Sequence, residues 1–512
     1  MGLEQRGLER GAVRKAYRKG MVRVALLYPS TYEVAMSSLI VHRLYFWLSD
    51  MEEVWVERAF LSSPRGPPEA VRGLEGGTPL PKFDFVLVPV HYELDYANIV
   101  RALVGSGVPV RSSERKGPKI IVGGPAPTAN PEPIADVADA VVIGDFEAVS
   151  RRLEEVIAGG APLEPSDGIY VPSMGKHEVR AAVAPSVPRH DPRRIMAPQA
   201  PFTIAVEVSR GCPFSCMFCM ESHISRPYRE APLGQVVEEA AELYRAYGLR
   251  VALVGLTVNA RRDFKELLRA LNEAGVSYSL PSLRAELLDE EAVDLIARAG
   301  QRTITLAPET SERLRRALGK SSADEDFVRV ARAAAARGMA VKLYMMVGVP
   351  GETEEDIREA ARLTREIKAA GVRELELSVN PLVIKPRTPL QWLPMMPEGE
   401  LNARLRALRE AAAYDRLSHY DPFEALVQAS IALGDRDVLK FVVDAALGGG
   451  GRGAWRRAAS GGLLSVALRP RRSPLPWSHV RVGPDEAELW SRLEAYARLV
   501  GLDLAALGAS GP

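Results

Sequence analysis

Three cysteines are all that this 512-residue sequence contains, and they crowd together as Cys212, Cys216 and Cys219. An odd number cannot all pair within one chain, and spacers this short make poor disulfides, so shared metal ligation is the economical reading. The segment runs Ser209-Arg210-Gly211-Cys212-Pro213-Phe214-Ser215-Cys216-Met217-Phe218-Cys219, a CxxxCxxC spacing directly after a strand-like apolar stretch at 203–208. Three thiolates on one loop can each bind one iron of a 4Fe-4S cube, which leaves the fourth iron open to a small chelating molecule. Zinc is the competing reading; it asks for a fourth ligand, and His223 follows Cys219 closely enough to be a candidate. A purely structural cluster would ask for a fourth cysteine, and there is none.

The length predicts two to four domains. With 47% apolar and 26% charged residues the composition is that of a globular protein with a sizeable core. Lys and Arg number 66 against 65 Asp and Glu, so a nucleic-acid partner is neither required nor excluded by charge. Basic stretches at 6–19 and at Arg469, Arg471 and Arg472 read as solvated faces or tails. No apolar run approaches the ~20 residues of a membrane-spanning helix. The short apolar piece at 22–27 reads as a first strand rather than a signal-peptide core, which places the protein in the cytoplasm.

Strand-like stretches at 22–27, 83–90 and 119–122 alternate with helical patterns at 33–48 and 95–104, as in a parallel sheet with crossover helices. Turns such as Tyr28-Pro29-Ser30 and Gly123-Gly124-Pro125 follow the strands, where open sheets bind ligands. Prolines scattered over 161–200 suggest a linker. Six further strand-like stretches, at 203–208, 251–254, 277–280, 303–306, 341–347 and 374–379, are each but the last followed by a helix, which suits a partial barrel. The expected class is therefore α/β: a tail at 1–20, a Rossmann-like domain at 21–160, the linker, a partial (β/α)6 barrel at 201–396 and a mainly helical region at 397–512.

The cysteine spacing resembles that of the radical S-adenosylmethionine (radical SAM) superfamily. Other segments resemble a group within it that carries an N-terminal cobalamin-binding-type domain: Tyr28-Pro29-Ser30-Thr31-Tyr32-Glu33, Ser279-Leu280-Pro281-Ser282-Leu283-Arg284, Leu306-Ala307-Pro308-Glu309-Thr310, Gly348-Val349-Pro350-Gly351-Glu352-Thr353, Lys385-Pro386-Arg387-Thr388-Pro389 and Leu475-Pro476-Trp477-Ser478-His479. The resemblance implies a 4Fe-4S cluster on Cys212, Cys216 and Cys219 whose open iron takes S-adenosylmethionine. Reductive cleavage would then give a 5'-deoxyadenosyl radical, with ferredoxin or flavodoxin as the kind of electron donor expected. Phe218 matches the aromatic residue near the adenine. Gly255, in Val254-Gly255-Leu256-Thr257, is what survives of the family's Gly-Gly-Glu turn. Ser282, Arg284 and Glu309 would bind the cofactor's ribose or carboxylate, and the turn of Gly348, Pro350 and Gly351 would border the adenine.

The group's cobalamin domains often present a histidine to cobalt through a DxHxxG motif, which is absent here; His42 and His91 lie in the first domain without that context. Either cobalamin binds without that ligand, or the domain keeps the fold and has lost the cofactor. The resemblance implies methyl transfer if cobalamin is present. Two rival readings are a methylthiotransferase-like enzyme, for which the second cluster's cysteines are lacking, and a noncatalytic iron–sulfur protein that binds RNA or a protein partner.

Overall fold

Six short strands, β1 (Val22–Leu27), β2 (Val54–Ala59), β3 (Phe85–Pro89), β4 (Lys119–Gly123), β5 (Ala140–Val142) and β6 (Ile169–Tyr170), form one sheet in the order β2-β1-β3-β4-β5-β6. All neighbours are parallel except β6, which runs antiparallel to β5. This is the flavodoxin-like order, and it reverses between β1 and β3. The computed structural model describes residues 9–13, 15–189, 191, 194–198 and 203–512. Parts of the basic stretch at 6–19, of the tail and of the linker, Pro192 among them, and also Pro201 lie outside the described residues.

Alternate residues of these strands enter two different cores, as the pleat requires. Val24, Leu26, Leu87 and Ile121 pack on helices Leu39–Asp50 and Phe146–Ile157. Ala25, Leu27, Val86 and Val88 face helix Asp95–Gly105 and, with it, Phe423, Val427, Ile431 and Val442 from the far end of the sequence. The C-terminal helices Pro422–Ala432 and Leu439–Leu447 therefore cover the second face of the first sheet. A sheet buried on both faces explains why its strands read as nearly unbroken apolar runs.

The second α/β series contains β7 (Ile204–Glu207), β8 (Val251–Val254) and β9 (Tyr278–Ser279), parallel and adjacent in that order. Then follow β10 (Thr303–Glu309), β11 (Ala340–Val347), β12 (Leu375–Pro381) and β13 (Arg416–His419), also parallel in chain order. A parallel bridge between Leu283 and Leu306 joins the two sets into one curved, partial barrel. Along β11, Val341, Leu343, Met345 and Val347 are buried under the surrounding helices, and the residues between them face the interior.

Several elements depart from the sequence reading. Strand β13 extends the barrel beyond residue 396; its sequence Arg-Leu-Ser-His is polar and mostly exposed at the sheet edge, so it carries no apolar signature. Strand β2 is interrupted by Glu57 and Arg58, both fully buried. Arg58 is held by Glu9 at 2.7 Å and Glu75 at 2.6 Å, pairing that lets charges sit inside a core. The helical stretch at 33–48 is two helices, Tyr32–Met36 and Leu39–Asp50, parted at Ser37 and Ser38. The proline-rich 161–200 segment supplies β6 and a short strand, Val179–Arg180, that pairs with Val480–Arg481, so it is packed structure as well as connection. Among the described residues no helix is long and apolar enough to cross a membrane.

Candidate functional site

The cysteine loop leaves the carboxyl end of β7 and returns through Arg229–Glu230, which pairs with Ser209–Arg210. Gly211 turns the chain at φ +77°, and a Cβ there would lie 2.4 Å from the Ser225 carbonyl oxygen, so only glycine fits. Cys212 and Cys216 are buried and Cys219 half-buried. Burial raises the Cys216 thiol and pushes Cys219 up to about 12, so without a metal both are protonated and poorly reactive. Three thiols on one loop are a donor set that a metal cluster deprotonates on binding.

The groups around these sulfurs come from far along the chain. Thr257 Oγ1 lies 3.2 Å from Cys212 Sγ. Arg284 Nη1 lies 3.9 Å from Cys216 Sγ; its guanidinium stacks 3.7 Å over the Phe214 ring and donates from Nε to Glu286 at 2.7 Å. The loop is tied down by Met217 N–H donating to the Leu318 carbonyl at 2.9 Å, and by Arg492, which donates to the Ser215 carbonyl.

His223 is not a spare ligand. Arg492 can only donate, so its contact with Nε2 at 3.1 Å fixes that nitrogen as the acceptor, and Nδ1–H donates to the Cys219 carbonyl at 2.7 Å. Burial lowers this imidazole's pKa to about 4, in keeping with a neutral ring. The fourth zinc ligand is thus already committed to holding the loop.

Beside the loop, a cavity of about 560 Å³ opens between the two domains. One wall is the carboxyl edge of the first sheet, with His91, Gly124 and Gly144; the other is the barrel rim, with Glu207, Gly211 and Gly255. Ion pairs bridge the walls: Arg43 to Glu207 at 2.7 Å, Arg210 to Glu147 at 2.8 Å and Arg229 to Asp145 at 2.7 Å. Burial by itself would raise the Glu147 and Glu207 carboxyls, but Arg210 and Arg43 outweigh it and hold both below the ordinary range.

Residues 206–364 match the family model described as the Radical SAM superfamily, and residues 41–162 match the model for the N-terminal region of radical SAM proteins. The chain is a radical SAM protein. The family's cofactors are a 4Fe-4S cluster and S-adenosylmethionine. An uncharacterised protein of Methanocaldococcus jannaschii is 29% identical over 432 residues, covering 82% of this chain and 90% of that one. An uncharacterised methyltransferase of Pyrococcus horikoshii is 25% identical, covering 48% of this chain and 58% of its own length. A tRNA-2-methylthio-N(6)-dimethylallyladenosine synthase of Sorangium cellulosum is 29% identical, covering 41% of this chain and 47% of its own length.

Among solved structures, the radical S-adenosylmethionine methyltransferase TsrM of Kitasatospora setae, with cobalamin and a [4Fe-4S] cluster bound, aligns with a TM-score of 0.51 and 19% identity over 74% of this chain and 80% of that one. The cobalamin-dependent S-adenosylmethionine radical enzyme OxsB, with aqua-cobalamin bound, aligns with a TM-score of 0.50 and 12% identity over 94% of this chain and 80% of that one. At these identities the likeness is one of fold.

The other residues singled out from this radical SAM sequence occupy distinct places. Gly255 directly follows β8, and a Cβ on it would be 2.5 Å from Ser209 Oγ. Ser282 is half-buried just before the bridge that joins the two parts of the barrel. Glu309 ends β10 at φ +67°, a left-handed conformation that costs a non-glycine residue about 1 kcal/mol or more, and Lys320 holds its carboxylate at 2.9 Å. Arg284, Lys320 and Glu309 all act electrostatically on the Cys216 thiol.

Phe218 packs against the core that contains Met217, Leu314 and Trp392. The Gly348–Gly351 turn is backed by C-terminal helices: Tyr496 donates to the Pro350 carbonyl at 2.6 Å, and Gly348 and Gly351 abut Leu401 and Val500. Nothing in the spacing of Thr257, Lys320, Glu286 or Arg492 marked them out beforehand. Thr257 and Arg492 gain their meaning from contact with the loop, and Glu286 and Lys320 from contact with Arg284 and Glu309.

Proposed function

We propose that this chain is a cobalamin-using radical SAM methyltransferase. Supporting this most directly is the interdomain cavity: the ligand-binding edge of a flavodoxin-order sheet faces the cysteine loop across it, with the left-handed glycine turns at Gly124 and Gly144 in its wall. The names of the relatives from Pyrococcus horikoshii and Kitasatospora setae agree with that reading.

In this reading Cys212, Cys216 and Cys219 would hold a 4Fe-4S cluster, which when bound would supply the electron for cleavage of the sulfonium. Arg284, stacked on Phe214, offers its Nη1 edge to the carboxylate of S-adenosylmethionine. Glu309, fixed by Lys320, accepts from the ribose, and Ser282 adds a hydroxyl beside them. Gly255 lets the cofactor approach the β8 backbone, while Phe218 and the Gly348, Pro350 and Gly351 turn flank the adenine. The Arg43, Arg210 and Arg229 bridges hold the two cofactor-facing edges at a fixed spacing. A ferredoxin- or flavodoxin-type protein would deliver the electron.

Anaerobic reconstitution with iron, sulfide and hydroxocobalamin, followed by assay for 5'-deoxyadenosine and S-adenosylhomocysteine, tests the reading. Cofactor cleavage with corrinoid retained is the expected result, and Cys216→Ala should abolish both the cluster's absorbance and turnover. A chain that builds no cluster refutes it. The sulfur-inserting alternative needs a second cluster, and every cysteine of this sequence already lies in the one motif.

A further inference from the structure

The first domain holds two histidines, and the structure separates them. His42 is buried, with Nε2 2.9 Å from the Met36 carbonyl and Nδ1 accepting the Met196 N–H at 3.2 Å, so both ring nitrogens are used. His91 follows β3, and its ring lies exposed on the wall of the interdomain cavity. Its aromatic neighbour is Tyr28, from the turn after β1, with ring centroids 6.4 Å apart. The imidazole therefore stands between the ends of β1 and β3, where the strand order reverses and sheets of this type bind their ligands.

Among the described residues the His91 ring has no hydrogen-bond partner. The cavity walls around it disfavour protonation and lower its pKa, so a neutral ring with a free lone pair faces the cavity. The carboxylates on these walls are engaged by neighbouring side chains. Glu207, Glu147 and Asp145 are committed to Arg43, Arg210 and Arg229, and Glu221 accepts from Ser225 at 3.3 Å. A neutral imidazole is a good ligand for a borderline transition metal such as cobalt.

We infer that His91, in the turn after β3, is the axial nitrogen ligand of the cobalt of a corrinoid seated in this cavity. This rests on the cobalamin reading above and adds to it the residue that touches the metal. The backbone leading into His91 is held in place, since Val90 N–H donates to the Gly123 carbonyl at 2.8 Å and anchors the turn to β4.

The full chain, prepared unlabelled and uniformly labelled with nitrogen-15, is loaded with hydroxocobalamin, reduced to cob(II)alamin and read by electron paramagnetic resonance. An axial histidine splits each cobalt line into a triplet in unlabelled protein and into a doublet in labelled protein. His91→Ala should still retain corrinoid by absorbance and lose the label-dependent splitting. Because the labelled wild-type comparison needs no substitution, a variant that fails to fold leaves the test intact. A triplet that persists in labelled protein means that the corrinoid's own base is the ligand, and an absence of nitrogen splitting means none is bound; either overturns the role of His91 while the cobalamin reading stands. A chain that retains no hydroxocobalamin overturns both.

Discussion

Replacing Glu132 by glutamine removes a charge that joins three distant parts of the chain. The carboxylate sits fully buried in the first domain, where it accepts from Arg436 Nε at 2.8 Å and Tyr170 OH at 2.8 Å and lies 3.3 Å from His479 Nε2. Burial by itself would raise its pKa, but the close contact with His479 and the hydrogen bonds from Arg436 and Tyr170 outweigh it and hold the group at about 2 against an ordinary 4.5. At about 1.4 kcal/mol per pH unit, that difference contributes about 3 kcal/mol of stability to the ionised state. Because the folded pKa is the lower one, the contribution is complete above pH 4.5 and is lost as pH falls towards 2.

Glu132→Gln should therefore be about 3 kcal/mol less stable than wild type in urea unfolding at neutral pH. That is a large share of a typical total. The gap should close as the pH is lowered through the acid range, because wild type loses the same interaction there. A neutral-pH difference under about 1 kcal/mol, or a gap that does not change with pH, refutes the view that an ionised Glu132 clamps the C-terminal region to the first domain.

Two predictions concern the cysteine loop. When Cys212 ligates iron its sulfur can only accept, so Thr257 donates to it, and Thr257→Val should lower the cluster's midpoint potential by on the order of 40 mV, the equivalent of about 1 kcal/mol for one electron; a redox titration showing no change would remove Thr257 from the site. Arg284→Lys loses the planar fork and the stack on Phe214, and should weaken S-adenosylmethionine binding about tenfold or more while iron content stays at the wild-type level. Equilibrium binding to the reconstituted protein measures this, and unchanged affinity would leave Arg284 a structural partner of Glu286.

The sequence by itself determined the features written in short stretches of chain. The cysteine set is local, because the spacing between Cys212 and Cys219 alone decides how many thiolates one loop can present. The alternation of apolar strands with amphipathic helices, punctuated by turns such as Gly123-Gly124-Pro125, specified two parallel α/β units because each strand must bury both faces. Tertiary structure decided what surrounds the cysteines and how the units meet. Thr257 reaches Cys212 from 45 residues away and Arg43 reaches Glu207 from 164, and a single contact across such a separation leaves no periodic trace in either stretch. Strand β13 was hidden because an exposed polar edge needs no apolar pattern. The C-terminal helices looked like a region of their own because an apolar helix face records that it is buried, not what buries it. The same holds for the two histidines of the first domain: residue type makes both candidate ligands, and only the packing ties His42 to Met36 and Met196 while turning His91 into the cavity.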